Sequence, residues 1–264
     1  MKYIFDNDLH IHSKLSLCSN DPEQSCERIL QYAKDNNLKT ICLTDHFWDE
    51  DVPGASDWYA KQNYKHISAA KPLPQADGIR FLFGCETELD KHLTLGLSKE
   101  KYDLFDFIVI PTTHFHMKGY TLTDEETASA ESRAKAWVKR FDAVLNMDLP
   151  FHKVGIAHLT CSLIAPTKEE FLEVLRLIPK DDMTRLFSKA SKLGVGIELN
   201  LDDMYFADDE AETILNIYKV AKLCGCKFYC GSDAHHPKSL ERAKRILERA
   251  ITLLELTEDD KFII

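Results

Sequence analysis

The sequence contains no apolar run near the roughly 18 residues that a membrane-spanning helix requires. Its first residues, Met1-Lys2-Tyr3-Ile4-Phe5-Asp6-Asn7-Asp8, lack the apolar core of a secretory leader, so a cytoplasmic location is expected. Low-complexity tracts, Pro/Gly-rich linkers and short repeats are absent, and the 264 residues read as one domain spanning 1–264. A composition of 44% hydrophobic and 29% charged residues excludes disordered, collagenous and coiled-coil chains. Positive charge is in deficit, with 33 basic against 43 acidic residues and a net charge of −10. Such a chain repels nucleic acid and anionic membranes at long range, and neither is expected as a stable partner. No GxGxxG or GxxxxGK[ST] follows an apolar run, which removes support for a nucleotide-binding open sheet. There is no CxxC pair either. Cys224 and Cys226 form CxC, while Cys42 and Cys85 sit in apolar runs and read as reduced core thiols.

What is present is an alternation. Short β-rich runs occur at residues 8–12, 39–44, 79–85, 107–113, 154–158, 195–200 and 227–231. Amphipathic helical patterns lie between most of them, at 23–36, 124–146, 181–193, 209–223 and 239–254. Asp21-Pro22 marks a helix start, and Gly194 and Gly225 mark helix stops. Seven strands alternating with helices predict an α/β fold with a parallel sheet covered on both faces. The sheet is either open and doubly wound or closed into a barrel.

The polar residues favour the barrel. The runs end in His10-Ile11-His12, Asp45-His46, Cys85-Glu86, Thr113-His114, Ala157-His158, Leu199-Asn200 and Asp233-Ala234-His235. Six of the eleven histidines fall at these few places. In a parallel barrel the C-terminal strand ends converge on one face, where active sites lie. Imidazoles and carboxylates meeting there make a metal site. His10 and His12 are two apart on a strand and point to one side, and Asp233 and His235 repeat that spacing.

These residues resemble the PHP family, named for polymerase and histidinol phosphatase, over essentially the whole chain. Asp8-Leu9-His10-Ile11-His12-Ser13, Leu43-Thr44-Asp45-His46, Ile156-Ala157-His158-Leu159 and Gly231-Ser232-Asp233-Ala234-His235 are similar to its four motifs. The resemblance implies a distorted (β/α)7 barrel and a centre of two to three divalent ions, with zinc, manganese or iron as occupants. It implies that His10, His12, Glu86 and Asp233 hold one ion. Glu86 would bridge to a second, completed by His114 and His158, and His46 and His235 would hold the third. Cys18 stands where some members have a further histidine.

The activity so implied is hydrolysis of a small phosphate monoester, as in histidinol phosphatases, by hydroxide generated at the metal. His10, His12, Glu86, Asp233 and His235 would carry the chemistry. Two other readings are an amidohydrolase-type enzyme acting on an amide or ester, and a non-catalytic metal-binding module. The first usually places a lysine at the fourth strand, where this chain has Thr113-His114. Asp8 and Asp45 could each accept an imidazole N–H or cap a loop. Asn200 could touch substrate or bind the next loop. His116 competes with His114, and Glu88 with Glu86. Lys14, Lys118 and Arg133 lie in segments that could reach the mouth, and Trp48, Trp58 and Tyr59 could wall a pocket or pack their loop.

Overall fold

A computed structural model describes residues 1–19 and 21–264. The fold is α/β with parallel strands throughout its sheets. Nine strand segments are present among the described residues: β1 (Asn7–Ile11), β2 (Thr40–Leu43), β3 (His46–Phe47), β4 (Arg80–Phe83), β5 (Cys85–Thr87), β6 (Ile108–Pro111), β7 (Val154–Ala157), β8 (Gly196–Asn200) and β9 (Lys227–Gly231). They form a three-stranded sheet, β1-β2-β4, and a six-stranded sheet, β3-β5-β6-β7-β8-β9. The seven expected strands are all there, but two are broken. The second splits into β2 and β3 around Thr44-Asp45, and the third into β4 and β5 at Gly84. Each break hands the chain from one sheet to the other, because β4 pairs with β2 whereas β5 pairs with β3 and β6.

The last strand reaches back to the first. Ile11 and Ala234 form a parallel bridge, and the Asp233 N–H donates to the His10 carbonyl at 2.7 Å. A compact apolar cluster draws Leu9, Cys42, Val109, Ala157 and Tyr229 from β1, β2, β6, β7 and β9, and adds Phe107 and Phe262. Both sheets therefore contribute to one interior, which the C-terminal Phe262 helps to fill. The larger core lies between the strands and the surrounding helices.

Those helices are α1 (Cys26–Asp35), α2 (Tyr64–Ile67), α3 (Ala130–Leu145), α4 (Lys168–Leu177), α5 (Lys180–Leu193), α6 (Ala211–Leu223) and α7 (Pro237–Leu253). Three begin later than the sequence pattern predicts, α1 by three residues, α3 by six and α6 by two. Ser25 caps α1 in place of Asp21, and Ser129 caps α3 inside the expected 124–146 pattern, each side chain accepting a backbone N–H of the first turn. α4 is absent from the expected set, although Thr167 caps it and Phe171, Val174 and Leu175 give it a buried face. Gly194 ends α5 as expected, in the left-handed conformation at φ 77°. Cys42 and Cys85 are buried thiols. No helix among the described residues is long and apolar enough to cross a membrane.

Candidate metal centre

Glu86 leaves β5 with its carboxylate 1% exposed and five imidazoles around it. Its Oε2 lies 2.9 Å from His46 Nδ1, 3.3 Å from His12 Nε2 and 3.5 Å from His10 Nε2. Its Oε1 lies 3.6 Å from His158 Nε2 and 4.0 Å from His114 Nε2. Despite these distances neither oxygen accepts a hydrogen bond, because no ring N–H is aligned to donate one. A buried carboxylate left this way is costly unless a cation completes it.

The remaining ring contacts say what that cation would meet. His10 Nδ1 is 2.6 Å from Glu198 Oε1, a carboxylate that accepts. His12 Nδ1 is 2.8 Å from Ser16 Oγ, whose single hydrogen goes to Asp45 Oδ1 at 2.7 Å, so the ring is the donor. His114 Nδ1 donates to Glu88 Oε2 at 2.9 Å, and His235 Nδ1 to the Asp233 carbonyl at 2.8 Å. In the neutral form of each ring, Nε2 is therefore a bare lone pair. His10 Nε2 and His12 Nε2 nevertheless face each other at 3.1 Å. Asp233 Oδ1 lies 3.5 and 3.1 Å from them.

Four acceptors thus meet without a donor, and the five distances that join His10 and His12 to each other, to Glu86 and to Asp233 are 3.1–3.5 Å. Neighbouring ligand atoms at about 2.0–2.2 Å from one tetrahedral ion lie about 3.3–3.6 Å apart, close to these five distances, so the residues present fit a divalent metal. Glu86, His114 and His158 form an adjoining group, and Asp233 Oδ2 is 3.4 Å from His158 Nε2. A third group brings His46 and His235 together with His12.

Protons compete for the same lone pairs. Burial opposes charging of His10, yet Glu198, Asp233 and Glu86 outweigh it and hold its pKa well above the usual histidine value. His12 and His158 are raised against burial in the same way, the former by Asp233 and Glu86 and the latter by Asp203, Cys161 and Glu86. The Glu86 and Asp233 carboxyls are held well below the carboxylate range, also against burial, by His46 and His10 for Glu86 and by His10 and His12 for Asp233. His235 is pushed down to about 3 by burial and by His12.

Two of the converging residues sit on strained backbone, His158 at φ 61° and Asp233 at φ 48°. The Thr113 hydroxyl donates to the His158 carbonyl, and the His158 N–H donates to Glu198 Oε2 at 3.2 Å. Glu198 thus fixes both His10 and His158. Gly231 makes room for it, since a Cβ there would lie 2.0 Å from Glu198 Oε1 and 2.8 Å from the His10 Cβ. Gly231→Ala is expected to destabilise the fold by about 1–3 kcal/mol and to loosen metal binding with it. Thermal unfolding and metal analysis of the variant check this.

Of the two roles open to each of Asp8, Asp45 and Asn200, the structure shows the loop or backbone contact. Asp8 accepts no imidazole N–H. It accepts the Ser232 N–H at 2.9 Å, the His10 backbone N–H at 3.4 Å and the Tyr32 hydroxyl at 3.0 Å, tying β1 to the end of β9. Asp45 reaches His12 only through Ser16, and it binds the Ser13 N–H and hydroxyl at 2.7 Å each. Asn200 donates to Glu198 Oε2 at 3.3 Å, and its Oδ1 accepts the Asp202 N–H at 2.9 Å, so it serves the loop and Glu198.

Glu198, Ser16 and Asp203 were not singled out as site residues by the sequence pattern, and Glu88 entered it only as a competitor of Glu86. Glu198 carries a legible signal, because it shares a strand face with Asn200 two residues on. The others become visible only when loops fold back on the strand ends. His116 stands on the cavity wall with its ring partly buried, and that burial and His114 push its pKa down to about 4.

The cavity over these groups has a volume of about 670 Å³. Glu86, His46, His114, His158, Asp233 and His235 line it, together with Cys18. Trp58, Tyr59 and Tyr120 form a wall, with Trp58 5.0 Å from the His46 ring and Tyr59 stacked on Tyr120 at 5.7 Å. Trp48 is buried behind Tyr59 and packs the loop. Lys118 is the one lysine or arginine lining the cavity among the described residues, whereas Arg133 is engaged with Glu170 at 2.5 Å.

The chain falls in the class of parallel α/β folds that gather imidazoles and carboxylates at their strand ends, here in clusters that could hold metal. Within that class the chain belongs to the PHP domain family, whose profile matches residues 8–263. It is 23% identical over 237 residues to a protein of Caldicellulosiruptor saccharolyticus named "Probable phosphatase", covering 89% of this chain and 82% of that one. Its fold is similar to that of histidinol phosphate phosphatase (HisK) from Lactococcus lactis, solved with zinc, L-histidinol and phosphate. The TM-score is 0.58 at 16% identity, and the match covers 94% of each chain. HisK of Listeria monocytogenes gives a TM-score of 0.60 at 13% identity, covering 90% of this chain and 98% of that one.

Proposed function

We propose that the chain is a metal-dependent phosphoesterase that hydrolyses a small phosphate monoester, as a histidinol phosphatase does. The observation that carries this reading is the donor-free meeting of His10, His12, Glu86 and Asp233 beneath an open cavity. In this reading these four residues hold one divalent ion, and Glu86 with His114 and His158 holds a second. His46 and His235 offer a third position, with Cys18 beside it on the cavity wall. We also infer that the two sheets are arcs of one distorted seven-stranded barrel, closed where β9 meets β1, and that the chain is a single domain.

Divalent ions held at these positions would supply Lewis acidity toward a phosphoryl group and hydroxide at neutral pH. The chain's own residues prepare that chemistry. Glu198, Ser16, Glu88 and the Asp233 carbonyl hold the Nδ1 protons of His10, His12, His114 and His235, which keeps each Nε2 aimed inward. Ser16 hands the restraint on to Asp45. Lys118 supplies a cation on the cavity wall for the ester's phosphate, while Trp58, Tyr59 and Tyr120 shape the space for its leaving group.

Zinc and histidinol phosphate are the first metal and ester to try, given the contents of the Lactococcus structure. A panel of phosphate monoesters, a phosphodiester, and an amide and an ester tests the reading with added zinc, manganese or iron. Release of phosphate from a monoester, dependent on the ion, is expected. Turnover of the amide or ester alone would replace this reading with an amidohydrolase-type one.

Within this site, Ser16→Ala is expected to weaken metal binding by about 10–100-fold, because His12 loses its acceptor and Asp45 a donor. Titration of the stripped variant with zinc checks it.

A further inference from the structure

Arg140 lies in the middle of α3, where an amphipathic surface helix would carry a solvated charge. It points inward instead and is 1% exposed. Its guanidinium spends its donors on four carbonyls and one carboxylate. Nε reaches the Thr112 carbonyl at 2.9 Å, and Nη1 the carbonyls of Asp90 at 3.1 Å and Thr121 at 2.7 Å. Nη2 reaches the Leu89 carbonyl at 2.6 Å and Glu88 Oε1 at 3.2 Å. The carbonyls belong to the segments that follow β5 and β6. One of these carries Glu88 and the other His114.

Glu88 stands between the two. Its Oε1 faces Arg140, and its Oε2 accepts the His114 Nδ1 proton at 2.9 Å. Thr121, whose carbonyl Arg140 binds, donates its hydroxyl to the His114 carbonyl at 2.6 Å. Every segment that orients His114 is thus tied to one guanidinium. We propose that Arg140 and Glu88 form a positioning pair that turns His114 toward Glu86 and sets the affinity of the second metal position. The proposal rests on the metal reading given above.

The chemistry of the pair distinguishes it from a structural staple. A glutamine at 88 would keep the shape but has one oxygen and one NH2. The NH2 cannot face the guanidinium, which only donates, so it would face His114 Nδ1. That nitrogen would then have to accept, and the proton would move to Nε2, closing the lone pair that a metal needs. A lysine at 140 would keep the charge but offer three donors from one point, leaving buried carbonyls without partners.

The test is a titration of metal-stripped full-length protein with zinc, and separately with manganese. It is followed by calorimetry and elemental analysis for wild type, Glu88→Gln, Arg140→Lys and Val144→Ala. Val144 is buried on the same helix and touches neither Glu88 nor His114 in any hydrogen bond, so it controls for general loosening of α3. Glu88→Gln and Arg140→Lys are expected to weaken one binding step by about 10–100-fold and to leave the tightest step unchanged. Val144→Ala should bind as wild type. Wild-type binding by both site variants, or the same loss in Val144→Ala, overturns the proposal while the metal reading stands. A wild type that binds no ion at all overturns the metal reading itself, and this proposal with it.

Discussion

Glu86→Gln is expected to lower kcat/KM for a phosphate monoester by at least about a thousandfold, which is ~4 kcal/mol of lost transition-state stabilisation. The size follows from position. Glu86 faces two groups of histidines with two oxygens, His10, His12 and His46 on one side and His114 and His158 on the other. A glutamine can present an oxygen to only one of them. Its NH2 would donate into the lone pairs on the other side and occupy them. The chain should still fold, since the replacement has the same shape and removes a buried charge. In metal-free protein the same substitution should bring the His10 pKa down, because Glu86 is one of three carboxylates that hold it up. Titration of the ring proton by nuclear magnetic resonance reads that shift independently of activity. An unchanged kcat/KM with an unchanged His10 titration would mean that Glu86 is not the shared ligand.

Removing the metal should be as visible in stability as in activity. An ion present at a thousand times its dissociation constant stabilises the folded chain by about 4 kcal/mol. For a chain of this size that corresponds to a fall in Tm of about 8–16 °C on chelation. The gap should widen as pH rises. In the metal-free protein the raised pKa values of His10, His12 and His158 mean that their pairs with the carboxylates stabilise the fold at low pH. That stabilisation is lost as pH climbs through the folded values. The lowered Glu86 and Asp233 contribute above their unfolded pKa and lose that contribution as pH falls through the folded values. The ion needs the rings deprotonated, so its affinity grows as the protons leave. Calorimetric melting of loaded and stripped protein between pH 6 and pH 9 follows both terms, with pH bounds of about 6 and about 9 set by the histidine range. A gap that narrows with pH would argue against imidazole ligands.

Much of this arrangement was legible in the sequence, for reasons that differ between fold and site. The seven β runs carried enough Val, Ile and Phe to be read directly, but their breaks did not. Thr44-Asp45 and Gly84 look like ordinary strand ends, and only pairing with other strands shows that the chain changes sheets there. The start of α1 was misplaced because Asp21 is a plausible cap locally, and α3 was read as starting at 124, while Ser25 and Ser129 are the ones whose side chains meet the first turn. The six strand-end histidines, Glu86 and Asp233 do come together in the structure. Period-two spacing and strand ends are local signals, so a single sequence can display them.

The residues that hold those groups were harder to find. Asp8 and Asp45 neighbour the histidines in sequence, yet the imidazoles find Glu198, Ser16 and Glu88. A partner 188 residues away cannot be read from spacing. Arg140 is the extreme case, a charge on a surface-type helix whose burial depends on carbonyls from two other segments.

The account turns on whether the converging lone pairs hold metal. The direct measurement is elemental analysis of wild type and Asp233→Ala, purified side by side without chelator. Asp233 meets His10 and His12 with one oxygen and His158 with the other. Two to three equivalents of zinc, manganese or iron in wild type are predicted, with a clear loss in the variant. A folded wild type with no stoichiometric metal would contradict the account.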